Sequence, residues 1–299
     1  MPSEPRSPKH EGSWMKYAAP TTVDEARSLL ADNPGSRVFA GATDLIPQMR
    51  SGRPEPSVMV DLKRIDQLMA VRHDGGHWTI GAATPTADLT RNADFAGMFP
   101  GISEGAGLIG SDQIQNRSSL GGNLCNGSPA ADSVPALIAA EARVVVASGD
   151  GSRTVAVADV VTGPGQTSLA DGEFIVEFEI DDVPANTGDA YLRMIPRTEM
   201  DIAVVGAAVR LTMDGDTVSD ARVVLAAVAP TAVRVPDAEA ALVGSTLDDD
   251  TLAAVSAAAS AACNPIDDKR GTIEYRTQVA GVLAKRAALI AADRAQNGA

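Results

Sequence analysis

Cysteine and histidine are scarce in this chain, and their scarcity removes whole classes of chemistry. Two cysteines occur in 299 residues, Cys125 and Cys263. A cysteine-ligated iron–sulfur cluster draws on four thiolates, so the chain cannot hold one alone. Two thiols far apart, in different contexts, also fit the reduced state of a cytoplasm better than a disulfide framework. The three histidines, His10, His73 and His77, are badly placed for a metal site. His73 and His77 flank the Gly75-Gly76 turn and are expected as solvated loop side chains. Positive charge is short as well: 25 Lys and Arg face 39 Asp and Glu, a net −14 that repels polyphosphate and argues against nucleic acid. No run approaches the roughly 18 apolar residues of a membrane span. There is no internal repeat, no G-x-S-x-G elbow and no credible histidine partner for Cys125, so nucleophilic catalysis has no candidate.

What is present is an ordinary globular composition, 44% hydrophobic, enough for one large domain or two. Residues 1–13, rich in Pro, Ser, Glu and Lys without an apolar core, read as a disordered tail rather than a signal peptide. Thr22-Val-Asp-Glu25 resembles a capping box, and Val23, Ala26, Leu29 and Leu30 follow at helical spacing, predicting a helix near 23–31. Arg37–Ala40 reads as a strand, Thr43-Asp44 as the start of a helix through Met49, and Val58–Leu62 as a second buried strand: a small βαβ layer. Strand-like runs at 77–82, 142–146, 154–157 and 174–180 then predict a largely antiparallel α+β region. Strands at 202–213 and 217–228 flank the Asp214-Gly215 turn, a hairpin signal, and Ala-rich helices are expected near 248–262 and 271–295.

Two segments place glycine, hydroxyl and aspartate between a strand and a helix: Ala40-Gly-Ala-Thr-Asp44 and Ser118-Ser-Leu-Gly-Gly-Asn123. Bare backbone of this kind turns N–H groups outward and lets a phosphate approach closely, so the pair reads either as a pyrophosphate clasp or as two ordinary turns. In an acidic chain, main-chain amides are a sensible source of phosphate donors. Gly105-Ala-Gly-Leu-Ile-Gly110 matches the dinucleotide pattern G-x-G-x-x-G, with Asp132 at a distance suited to a ribose-binding acid. The preceding Phe99–Glu104 does not read as a strand, however, so the glycines are assigned to a closely packed small-residue helix. Chemistry is therefore expected from a bound cofactor.

The wording and order of several segments resemble one family, the FAD-binding medium subunit of molybdenum hydroxylases, of the xanthine dehydrogenase and aerobic carbon monoxide dehydrogenase type. The resemblance runs through AGATDLIPQMR (40–50), TIGAATPTADL (79–89), QIQNRSSLGGNLCNGSPAADSVPAL (113–137), AYLRMIPRTEMDIAVVGAAV (190–209), VAPTAVR (228–234) and EYRTQVAGVLAKRA (274–287). It implies an α+β, vanillyl-alcohol-oxidase-like (PCMH-type) fold: an FAD-binding domain at 14–187, in subdomains of about 14–70 and 71–187, and a C-terminal domain at 188–299 with a three-stranded antiparallel sheet and helices.

By the same resemblance, FAD is bound non-covalently. Ala40, Gly41, Ala42, Thr43 and Asp44 form the first pyrophosphate loop, and Ser119, Leu120, Gly121, Gly122 and Asn123 the second. Asp132 contacts the nucleotide half, while Ile175 and Ile202 pack around the isoalloxazine; the residues alone favour ordinary core aliphatics. Arg193 stands at a common lysine position near the flavin edge, and Gln115 where an arginine is common. Ala42 replaces a second glycine, so a negative φ is expected there. The implied partners are a large subunit with the molybdenum cofactor and a small subunit with two [2Fe-2S] clusters, in a cytoplasmic dimer of heterotrimers. Electrons would pass from those clusters through FAD to NAD⁺, a quinone or another acceptor. A stand-alone flavin oxidase is the rival enzyme, but it would need a base or tyrosine beside the ring, and Tyr17, Tyr191 and Tyr275 lie in no catalytic motif. A flavin-free scaffold is the remaining alternative.

Overall fold

The computed structural model describes residues 15–149 and 151–298; the tail expected at 1–13 lies outside them. The first layer comprises β1 (Lys16–Ala18), α1 (Val23–Asp32), β2 (Arg37–Phe39), α2 (Leu45–Arg50) and β3 (Val58–Asp61), with a parallel sheet in the order β1-β3-β2. Thr22 caps α1 by accepting from the Glu25 amide at 3.1 Å, and Glu25 reaches back to the Thr21 amide at 2.7 Å, so the capping box closes one residue upstream. All of β3 is buried, as suits the centre of a parallel sheet.

The next region opens with β4 (Val71–Asp74) and β5 (His77–Gly81). A run of short helices follows: α3 (Thr86–Arg91), α4 (Ala93–Met98), α5 (Pro100–Gly107), α6 (Asp112–Gln115), α7 (Leu120–Cys125) and α8 (Val134–Ala139). β6 (Arg143–Ser148), β7 (Gly151–Ala156), the small hairpin β8 (Val161–Gly163) and β9 (Gln166–Thr167), and β10 (Phe174–Asp181) complete it. The five-stranded sheet, order β4-β5-β10-β6-β7, is antiparallel throughout. It separates two cores. Ile175, Phe178 and Ile180 of β10 join Phe95, Phe99, Ile102, Leu120, Leu124 and Leu137 of the helices. Phe174 and Val176 of the same strand face Ala26, Val58 and Val60 of the first layer. The dinucleotide-like glycines sit in and after α5, where a Cβ on Gly105 would lie 2.6 Å from the Asp132 carbonyl oxygen. Gly105 serves close packing there, whereas Gly110 turns the chain at φ +63.

The C-terminal sheet contains β11 (Thr187–Met194), β12 (Val205–Asp214), β13 (Thr217–Ala226) and the two-residue edge strand β14 (Val233–Arg234), antiparallel in that order. The three implied long strands are present, with β14 added, and β11 begins one residue before the expected boundary. The strand expected from residue 202 starts only at Val205, because Ile202 lies in a loop whose Asp201 carboxylate accepts the Ile202 amide at 2.8 Å. Its partner stops at Ala226, since Ala227 turns to φ +62. Helices α9 (Pro236–Leu242) and α11 (Ile273–Asn297) pack on this sheet, and α10 (Asp249–Ala261) packs against the two of them. The alanine face of α11 lets β11 approach so closely that a Cβ on Gly188 would lie 2.3 Å from the Ala291 oxygen.

His73 is no loop side chain: it lies on β4, stacked on Trp78 at 4.5 Å and paired with Asp182 at 2.9 Å. Among the described residues there is no cluster of His, Cys, Asp and Glu able to hold a metal, and no helix long and apolar enough to cross a membrane.

Candidate cofactor-binding site

The two glycine loops meet, although they belong to different layers. The first leaves the end of β2 and enters α2. At Gly41 a Cβ would lie 1.9 Å from the Arg117 carbonyl oxygen, so only glycine lets this loop lie against the start of the second. Ala42 has φ +56, not the negative value expected from its Cβ. That conformation costs an alanine about 1–2 kcal/mol. It persists because the residue is held on both sides: Gly41 is wedged under Arg117, and the Ala42 carbonyl accepts the Ile46 amide at 3.1 Å to start α2. A left-handed residue before the right-handed turn at Asp44 gathers successive amides into a concavity, the backbone arrangement that suits an anion. Among the described residues, the amides of Gly41, Ala42, Thr43, Asp44 and Leu45 have no protein acceptor.

The second loop is more regular than its composition suggests, for Leu120–Cys125 is helical. The Ser119 hydroxyl accepts the Gly122 amide at 3.1 Å, the Ser119 carbonyl accepts the Asn123 amide at 2.9 Å, and the Gly121 amide donates to Ala82 at 3.1 Å. Three amides expected to serve the phosphates are thus engaged within the protein, while that of Ser119 has no acceptor among the described residues. The glycines here differ. A Cβ on Gly121 would collide with the Ala82 oxygen at 2.5 Å, whereas Gly122 is exposed and its Cβ would meet only the Ser119 hydroxyl, at 3.3 Å. Thr86 anchors the loop by hydrogen bonds to the Ser118 hydroxyl at 2.8 Å and carbonyl at 2.9 Å. Gln48 of α2 donates to Asn126 at 2.8 Å and closes the contact from the other side.

Asn123 carries the site onward, accepting from the Ser133 hydroxyl at 2.7 Å, beside Asp132. Asp132 is buried and accepts from the Tyr191 hydroxyl at 2.9 Å and from Arg193 Nη1 at 2.7 Å. Burial pushes its pKa up to about 6, against the opposing pull of Arg193 and the Tyr191 hydrogen bond. Tyr191 is itself pushed well above its ordinary range by burial and by Asp132. Arg193 Nε is buried without a partner among the described residues. Gly206 makes the room, for a Cβ there would lie 2.5 Å from the Tyr191 hydroxyl.

Ile175 is 3% exposed within the helix-side core, whereas Ile202 is 51% exposed and is no core aliphatic. Gln115 turns its amide to the Gly107 carbonyl at 2.7 Å. Asp44 and Cys125 both keep exposed surface, yet surrounding protein raises the Asp44 pKa and pushes the Cys125 thiol up to about 12. A thiol so raised is neutral and inert. Sequence reasoning missed Tyr191, Thr86 and Lys63, whose ammonium lies 2.7 Å from the Ala40 carbonyl oxygen. Thr86 and Tyr191 stand inside the family-like segments 79–89 and 190–209, which gave neither of them a role, and Lys63 stands in none of the quoted segments.

A model of the FAD binding domain in molybdopterin dehydrogenase matches residues 13–182, and one of the CO dehydrogenase flavoprotein C-terminal domain matches residues 190–291. The carbon monoxide dehydrogenase medium chain of Hydrogenophaga pseudoflava is 34% identical, over 91% of this chain and 95% of its own length. The xanthine dehydrogenase FAD-binding subunit of Escherichia coli is 29% identical, over 91% and 94%. Among solved structures, carbon monoxide dehydrogenase from Hydrogenophaga pseudoflava superposes with a TM-score of 0.90 at 36% identity, covering 94% of this chain and 98% of that one. Quinoline 2-oxidoreductase from Pseudomonas putida 86 gives 0.89 at 28% identity, with coverage of 94% and 98%. Glycine loops in contact, a nest of unpaired amides and two family models matched in order lead to one conclusion: the chain belongs to the FAD-binding medium subunits of the molybdenum hydroxylase family.

Proposed function

We propose that this chain is the electron-transfer flavoprotein of a cytoplasmic molybdenum hydroxylase. It would work beside a large subunit carrying the molybdenum cofactor and a small subunit carrying two [2Fe-2S] clusters, in a dimer of heterotrimers. Electrons from the clusters would leave through non-covalently bound FAD to NAD⁺, a quinone or another acceptor. The observation that carries this reading is the run of unpaired amides from Gly41 to Leu45 around the left-handed Ala42. It offers phosphate oxygens several donors in one concavity without adding charge. The exposed Gly122 and the unpaired Ser119 amide extend the same surface, so the residues present fit a pyrophosphate.

Bound FAD supplies the redox chemistry, since a flavin accepts electrons singly and passes them on in pairs. The chain's own part is to bind and orient. Gly41–Leu45 would hold the pyrophosphate; Asp132 with its partner Arg193, and Ile202, would meet the rest of the cofactor, with Ile175 supporting that wall from the core. A stand-alone oxidase is poorly supported, because the Tyr17 and Tyr191 hydroxyls both donate to carboxylates, Asp61 and Asp132, at 2.9 Å. The test is a visible spectrum and partner analysis of the natively purified protein. Flavin absorbance with molybdenum- and iron-bearing partners is expected. Substrate turnover by the isolated chain, or no flavin even after reconstitution, would sink the reading.

A further inference from the structure

We propose that Lys63 is the positioning residue of the phosphate cradle: its ammonium, donating to the Ala40 carbonyl, fixes and polarises the peptide that carries the Gly41 amide. This rests on the reading of Gly41–Leu45 as the pyrophosphate site. Lys63 follows β3, and its side chain is 20% exposed. Its Nζ lies 2.7 Å from the Ala40 oxygen, 2.5 Å from Asp61 Oδ1 and 4.6 Å over the Phe39 ring. Asp61 is held in turn, accepting from the Lys63 amide at 3.0 Å and from the Tyr17 hydroxyl at 2.9 Å. The ammonium is therefore fixed from three directions before any ligand arrives.

The effect on the loop follows from peptide geometry. In a trans peptide the carbonyl of one residue and the amide N–H of the next point in opposite directions. Drawing the Ala40 carbonyl toward Lys63 therefore turns the Gly41 N–H away from it, among the unpaired amides of the cradle. Glycine needs such a restraint more than other residues, because its backbone has the widest freedom to lose. Hydrogen bonding to a carbonyl also strengthens the donor at the other end of the same peptide. Long-range attraction is not the mechanism, since Asp61 at 2.5 Å cancels the charge seen from a distance. Lys63 acts through one peptide.

The test uses the full-length chain, freed of flavin and titrated with FAD by quenching of flavin fluorescence. Lys63→Met removes the ammonium and keeps the stem; Lys63→Met combined with Asp61→Asn also removes the carboxylate left unpaired, which protects the fold. The double variant is expected to bind FAD about tenfold more weakly, Lys63→Arg to recover most of the loss, and the ³¹P resonances of bound FAD to shift in the double variant. A wild-type Kd for the double variant, whatever its unfolding midpoint, overturns the role of Lys63. Gly122→Val separates that failure from failure of the cradle. If it loses FAD while the double variant keeps it, the cradle stands and Lys63 is merely structural. Wild-type Kd in both variants would discard the cradle and this proposal together.

Discussion

Arg193 meets Asp132 across the seam between the FAD-binding half and the C-terminal sheet, Nη1 lying 2.7 Å from Oδ2, with the two side chains only 5% and 9% exposed. Removing one partner of such a pair strands the other, at a cost of about 3–5 kcal/mol. The Asp132 pKa, near 6, gives this cost a pH dependence. Below that value the carboxyl takes a proton and no longer needs the guanidinium. Arg193→Met should therefore lower the urea midpoint strongly at pH 8 and less at pH 5. An equal loss at both would assign the effect to packing instead.

The paired glycines of the second loop should part company on substitution. Gly122→Val is expected to fold with an unfolding midpoint near the wild type and to lose FAD, because its Cβ meets only the movable Ser119 hydroxyl, at 3.3 Å, and its methyl groups would project beside the proposed phosphate site. Gly121→Val should fail to fold, because its first carbon already meets the backbone of Ala82. Circular dichroism and flavin content, measured on both, distinguish the two outcomes.

Ala42→Gly removes the strain of φ +56 but restores backbone freedom to the unfolded chain. The first effect is about 1–2 kcal/mol and the second about 0.5–1 kcal/mol in the opposite direction. A net stabilisation of about 0.5 kcal/mol is expected from denaturant titration, and Ala42→Val should destabilise.

Asp189 predicts a stability change with pH. Its buried carboxyl, accepting from the Gly101 amide at 3.0 Å, is pushed up to about 7 by burial, with Glu104 adding to the shift and Arg294 and Arg210 opposing it. A raised carboxyl pKa means that the native state favours the proton. Its stabilisation is complete below the ordinary range near 4 and is lost as pH rises through 7. Asp189→Asn keeps an acceptor and no charge. It should match the wild type near pH 4 and exceed it at pH 8, by on the order of 3–4 kcal/mol, in paired thermal scans. No gain at pH 8 would refute the assignment.

Much of this fold is legible in the sequence because its signals are local. The Thr22 cap, the Asp214-Gly215 hairpin and the alanine face of α11 each depend on residues a few positions apart. The small residues around Gly105 are also legible as packing, once the missing strand before them is noticed. What sequence could not supply comes from segments far apart in the chain. Ala42 is left-handed because its neighbours are pinned, against its own preference. Lys63 and Tyr191 acquire their roles from Ala40 and Asp132, which no spacing connects to them. The glycines of the second loop suggested free amides, but a serine cap and a neighbouring strand end claim them.

The contact of Gly41 with the Arg117 carbonyl also orders events at the ribosome. Synthesis runs from the N-terminus, so the first loop emerges and must wait until the chain through Arg117 has appeared and docked. Nascent chains arrested before that point would have half a cradle and no grip on the cofactor. Flavin capture is thus expected only once Arg117 has emerged and docked, and the flavin content of arrested chains would report that step.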